Sequence, residues 1–89
     1  MPLFGFSIGP KAAEFLDAMP AGKLRAQVAK KARSLMDQPH PPGCKRLINV
    51  KHGTESVWRI RSGDYRILYV SRPNEIVVVD IGDRKDVYE

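Results

Sequence analysis

The chain has 89 residues, a length that buries somewhat over ~60% of the unfolded surface and so supports one modest core but not two. Its 15 Lys+Arg against 10 Asp+Glu leave a net charge of +5, which points to polyanionic partners, either nucleic acid or an acidic protein. No apolar stretch approaches the ~20 residues of a membrane span, and the N-terminus has no basic segment followed by an apolar run of the signal-peptide kind. A single cytoplasmic domain over residues 1–89, without membrane association, is expected.

In chain order, residues 3–8 (LFGFSI) alternate loosely and predict a short first strand. Gly9-Pro10 ends it, and Pro10 suits the first turn of a short helix through Phe15 and Leu16 that stops at Met19-Pro20. Residues 21–37 predict the clearest helix, with Leu24, Val28, Ala32 and Leu35 on one stripe. Its Lys23, Lys30 and Arg33 are expected on a solvated face. QPHPPG (38–43) breaks the helix, since proline cannot continue it.

Cys44 is the only cysteine, so no intrachain disulfide can form, and the thiol is expected to be a small inert apolar group. His40 and His52 do not complete a zinc-type spacing with it, so neither metal nor cofactor is expected. Strands are predicted over 44–50, 56–62, 64–71 and 75–82. Loop 51–55 (KHGTE), the connection Ser62-Gly63-Asp64 and the turn Pro73-Asn74 separate them. The expected fold is α+β: two N-terminal helices packed on one face of a mainly antiparallel sheet, in the order β-α-α-β-β-β-β.

The hairpin WRIRSGDYRILY (58–69) carries the candidate chemistry. Strand side chains alternate between faces, so Trp58 and Ile60 share one face while Arg59 and Arg61 share the other. Grouping by apolar content puts Trp58, Ile60, Ile67, Val79 and Ile81 under the helices and leaves Arg59, Arg61, Arg66 and Arg84 on the open face. Two readings follow. Asp64, Asp80, Asp83 and Asp86 answer the arginines as exposed ion pairs worth roughly 0–1 kcal/mol each. Alternatively the arginines form a phosphate-binding floor, where guanidinium groups give bidentate contacts. Arg72, beside a turn, is expected in solvent.

The stretch WRIRSGDYRILY followed by IGDRKDVY resembles the RelE/ParE superfamily of bacterial toxins, the RelE branch in particular. The shared pattern is a basic-x-basic strand, a Gly-containing turn, a Tyr-Arg strand, then Gly-x-Arg and a terminal Tyr. The resemblance implies a RelE-like, microbial-ribonuclease-like fold and the toxin of a type II toxin–antitoxin system. It further implies a ribosome-dependent mRNA endoribonuclease that cuts message in the aminoacyl site and is held inactive by a cognate antitoxin, meeting operator DNA only through that complex. By position, Arg59 and Arg61 fall where RelE proteins have functional basic residues, commonly lysines. Arg66 matches the arginine after the hairpin turn, Arg84 that of the last strand, and Tyr88 the terminal tyrosine.

On this reading Arg61 and Arg66 stabilise the phosphorane of a 2′-OH attack, Arg84 assists the leaving group and Tyr88 stacks on a base. Arg59, Lys45 and Arg46 bind the message. Arginine, unlike lysine, does not give up its proton, so a general base must come from elsewhere. Histidine is the side-chain type suited to that work, and His52 is the nearby one; otherwise the ribosome orients the 2′-OH and orientation supplies much of the rate. Two alternatives follow from the same superfamily. One is a ParE-like inhibitor of DNA gyrase that cuts nothing, and the other is an inactive relative acting with its antitoxin.

Overall fold

The computed structural model describes residues 5–83. The elements are β1 (Gly5–Ile8), α1 (Pro10–Ala18), α2 (Lys23–Ser34), β2 (Lys45–His52), β3 (Glu55–Ser62), β4 (Tyr65–Arg72) and β5 (Glu75–Asp83). They form one sheet in the spatial order β1-β5-β4-β3-β2. β1 runs parallel to β5 and the other neighbours are antiparallel. Both helices pack on one sheet face, α1 against β5 and α2 against β3, which is the predicted α+β arrangement.

The helix boundaries follow local chemistry. Pro10 occupies the first turn of α1, where its missing N–H would have had no helical partner. The preceding Gly9 donates its N–H to the Val78 carbonyl at 2.7 Å. A Cβ at Gly9 would come within 3.2 Å of that same oxygen, so glycine lets the chain cross close over β5 before turning into the helix. α2 stops at Ser34, three residues earlier than the periodicity predicts. The N–H groups of Leu35, Met36 and Asp37 bond instead to the carbonyls three residues back, a tightened last turn ahead of the proline-rich loop.

The main core lies between helices and sheet. Val28, Ala32 and Leu35 meet Ala12 and Leu16 from α1 and Ile60, Ile67, Tyr69, Ile76, Val78 and Ile81 from the sheet. Full burial of each larger aliphatic side chain contributes roughly 1.5–3 kcal/mol. Leu24, expected on the same stripe, is instead 58% exposed. It lies in the first turn of α2 beside Met19, Pro20 and Tyr65, at the end of the stripe.

All three hairpins close through two residues: Gly53-Thr54, Gly63-Asp64 and Pro73-Asn74. Gly63 has φ +61°, in the left-handed region that costs other L-residues roughly 1–2 kcal/mol. The short Gly63-Asp64 turn fixes the register of β3 against β4, pairing Arg61 with Arg66, Ile60 with Ile67 and Trp58 with Tyr69. Gly53-Thr54 also shortens the predicted loop 51–55, so His52 is a strand residue paired with Glu55.

The grouping of β5 requires a correction. Leu68 pairs with Asp80 but Tyr69 pairs with Val78, so Val79 is an extra residue without a partner on β4. This β-bulge switches the alternation. Ile76 and Val78 join Ile81 in the core beneath the helices, while Val79 turns to the other face. There it packs near Leu47, Val57, Leu68 and Val70, a second apolar cluster across the middle of the open face. β2 is irregular as well. Four residues, 47–50, stand against Val57 alone between the pairs Arg46–Trp58 and Lys51–Ser56, and Ile48 is 83% exposed.

The 38–43 loop is tied down by Tyr69, whose hydroxyl donates to the Pro39 carbonyl at 2.7 Å. Burial holds the Tyr69 phenol well above its ordinary range, with the neighbouring Cys44 thiol adding to the shift. His40 packs against Trp58 with ring centroids 4.3 Å apart and the ring planes tilted by 52°. Among the described residues no helix is long and apolar enough to cross a membrane.

Candidate functional site

Directly opposite residues of an antiparallel pair share a sheet face. The register therefore builds two successive basic rungs on the open face. One runs Lys45, Arg59, Leu68, Asp80, and the next runs Arg61, Arg66, Gly82. Arg59, Arg61 and Arg66 thus stand together, as the grouping by apolar content predicts, and Lys45 joins them. Gly82, opposite Arg66, adds no side chain to the rung. Like charges set directly across a sheet repel, and Arg61, the exposed member of the pair, is the one open to an anion from solvent.

The three arginines are held differently. Arg59 and Arg66 are only 6% and 8% exposed, and their Nε atoms are shut off from solvent. Arginine keeps its charge under such conditions, so the sheet holds two ordered cations close beneath its surface. Arg61 is exposed. Between Arg61 and Arg66 lies a depression of about 30 Å³, lined also by Gly63, Asp64 and Tyr65, close to one water's share of liquid volume. A site this small does not engulf a metabolite, which needs some hundreds of Å³. It suits one charged group of a chain laid across the surface.

Two other predicted site residues, Arg46 and His52, are not brought to this spot. Arg46 pairs with Trp58, which puts it on the helix-side face by alternation. His52 is opposite Glu55, six residues along β3 from Arg61, a separation of about 20 Å by strand rise. It lines a cavity of about 240 Å³ with Val50, Val57, Leu68, Val79 and Asp80. Asp80 approaches Lys11 at 3.9 Å and accepts a bond from the Ile81 N–H. Arg84, Tyr88 and Asp86 lie outside the described residues.

Arg72, expected in solvent, is the most fully engaged arginine with described contacts. Its Nε and Nη2 donate to the two carboxylate oxygens of Glu55, both at 2.8 Å, and its Nη1 donates to Glu75 at 2.7 Å. Ser7 on β1 reaches Glu75 as well, at 3.4 Å, so the cluster ties together β1, β5, β4 and β3. The hydrogen bond from Arg72 holds the Glu55 carboxyl below its usual range, and the two glutamates hold the Arg72 guanidinium above its own. The Pro73-Asn74 turn, which sets Arg72 opposite Glu75, was the sequence signal for half of this cluster. Glu55 comes from β3 and was not legible.

A model of the family described as the ParE toxin of type II toxin–antitoxin systems, parDE, matches residues 7–88. The chain belongs to this family. The toxin is also similar in fold to two solved structures. The first is an archaeal RelE–RelB complex from Pyrococcus horikoshii OT3, at 19% identity with a TM-score of 0.74, covering 96% of this chain and 99% of that one. The second is a YoeB dimer from Staphylococcus aureus, at 15% identity with a TM-score of 0.68, covering 88% of this chain and 93% of that one. A search of curated proteins finds no match. The RelE/ParE superfamily expected from the hairpin motif is therefore the toxin's own.

Proposed function

We propose that this toxin is a ribosome-dependent mRNA endoribonuclease that blocks translation, working in the ribosomal aminoacyl site and reaching operator DNA only with its antitoxin. The observation that carries this reading is the pair of rungs in which Arg59, Arg61 and Arg66 share one sheet face beside Lys45. In the proposed reaction the 2′-oxygen of the message attacks the adjacent phosphorus. The 2′-proton is lost, charge builds on the phosphorane oxygens, and the 5′-oxygen departs taking up a proton. Arg61 and Arg66 stabilise the phosphorane, and removing one such donor costs roughly 3–4 kcal/mol of transition-state stabilisation. Arg59 and Lys45 bind the flanking backbone. By motif position Arg84 assists the leaving group and Tyr88 stacks on a base.

Neither Arg59 nor Arg61 serves as the base, because neither gives up its proton. His52, at the far end of the face, is not assigned that role either. The proposal leaves removal of the 2′-proton to the ribosomal setting, where orientation of the 2′-OH supplies much of the rate.

A second reading is favoured by the family description, which names the ParE toxin: a non-catalytic inhibitor of DNA gyrase built on the same scaffold. Mapping message ends in a translating extract separates the two. Codon-phased cuts in ribosome-bound mRNA support the nuclease. Intact message together with arrested gyrase supports the inhibitor and overturns the nuclease.

A further inference from the structure

α2 reads KLRAQVAKKARS, with Lys23, Arg25, Lys30, Lys31 and Arg33 as cations and no acidic residue. One of them, Arg25, reaches a carboxylate, that of Asp17, at 3.5 Å. Among the described residues no carboxylate lies in ion-pair range of Lys23, Lys30, Lys31 or Arg33. Val28 and Ala32 face the core, which turns Lys30 outward and leaves Lys31 on the flank of the helix. That flank borders an open depression of about 360 Å³ lined by Gln27, Lys30, Lys31, Ser34 and, from β3, Ser62.

Every lining side chain can donate a hydrogen bond and none is a carboxylate. The Ser34 hydroxyl already donates to the Lys31 carbonyl at 2.6 Å, so the available donors are the two ammonium groups, the Gln27 amide and the Ser62 hydroxyl. Ser62 directly follows Arg61, and the Gly63-Asp64 turn beyond it borders the Arg61–Arg66 depression. The two depressions therefore flank one hairpin turn. No lining residue is aromatic or aliphatic in type, so the specific contacts the depression offers are its hydrogen-bond donors. The donor set fits oxyanions repeated along a backbone.

We propose that the depression formed by Gln27, Lys30, Lys31 and Ser62 is a second phosphate-binding site, which takes the RNA backbone as it continues past the arginines around the β3–β4 turn. This rests on the reading of the open face as an RNA site. The site lengthens the track over which the toxin holds an RNA strand. It binds through phosphate alone, because no aromatic side chain lines it for base stacking.

The test uses the full chain and uncleavable 2′-O-methyl oligoribonucleotides of increasing length, with affinity read by fluorescence anisotropy across a salt series. Wild-type toxin gains affinity once the oligonucleotide is long enough to round the turn. In the Lys30→Gln/Lys31→Gln variant that gain is lost. The salt slope for the longer oligonucleotides falls by about 1.4, equivalent to a loss on the order of 25-fold near 0.1 M salt. Affinity for the shortest oligonucleotides stays unchanged, and Lys30→Arg/Lys31→Arg restores the gain. An unaltered length dependence and slope in the glutamine variant overturns the second site. So does a variant that keeps RNA affinity and loses affinity for the antitoxin, which assigns the patch to an acidic protein. If Arg61→Gln leaves the short oligonucleotides unaffected, the arginine site falls instead, and the longer ones still judge α2.

Discussion

The open face of the sheet carries arginines at both ends, and the two ends are built oppositely. At the lower end Arg72 is clasped by Glu55 and Glu75, with all three of its bonds between 2.7 and 2.8 Å. At the upper end Arg61 stands opposite Arg66, and Arg61 is exposed with no carboxylate in ion-pair range among the described residues. The apolar cluster of Leu47, Val57, Leu68 and Val70 separates them. Charge satisfied within the chain fastens strands together. An exposed charge with no carboxylate in range, as at Arg61, is open to an anion from outside. The same residue type is structural at one end and, on the proposed function, working at the other.

The two ends should be separable by mutation, one through activity and the other through stability. Arg61→Gln is expected to lower message cleavage by 10²–10³-fold with no fall in the thermal midpoint, measured by primer extension and by circular dichroism. A variant that cuts normally removes Arg61 from the chemistry. Arg84→Ala, at the motif's last arginine, is expected to abolish growth arrest while the protein still folds. Normal arrest would remove it from the site.

Gly63→Ala puts a Cβ where φ is +61° and should cost roughly 1–2 kcal/mol. At roughly 4–8 °C per kcal/mol for a domain of this size, the melting temperature reads it directly. Cleavage should fall with it, because the turn sets Arg61 across from Arg66. Arg72→Ala should lower the melting temperature without changing cleavage per folded molecule. Loss of cleavage beyond the loss of folded protein would contradict a purely structural lower end.

The smallest effect is in acid. Glu55 has its carboxyl lowered by the Arg72 hydrogen bond, so the unfolded chain takes up a proton at that carboxyl at higher pH than the folded one. Its contribution to stability is complete above the ordinary glutamate value near about 4.3 and is lost as pH falls through the lower folded value. Melting curves from about pH 6 down to about pH 3 should therefore show a shallower acid limb in Arg72→Ala than in wild type. Parallel limbs would show that the clasp does not operate in solution.

The sequence by itself determined the element order, the helix-covered sheet and the company of Arg59, Arg61 and Arg66. Those follow from short-range rules: proline and glycine punctuation, two-residue alternation, and the Gly63-Asp64 turn that locks two adjacent strands in register. What lay beyond one hairpin was decided by tertiary structure. A single unpaired residue, Val79, reversed the faces of β5, since alternation carries no record of a bulge. Arg72 found Glu55 across a strand pairing 17 residues away. Arg46 parted from the arginines because it stands opposite Trp58, and His52 because it stands opposite Glu55 at the other end of β3. Lys30, expected simply to face solvent, came with Lys31 to border Ser62 only once α2 packed on β3. Local chemistry chose which residues are charged and which are buried, and packing chose which of the charges meet.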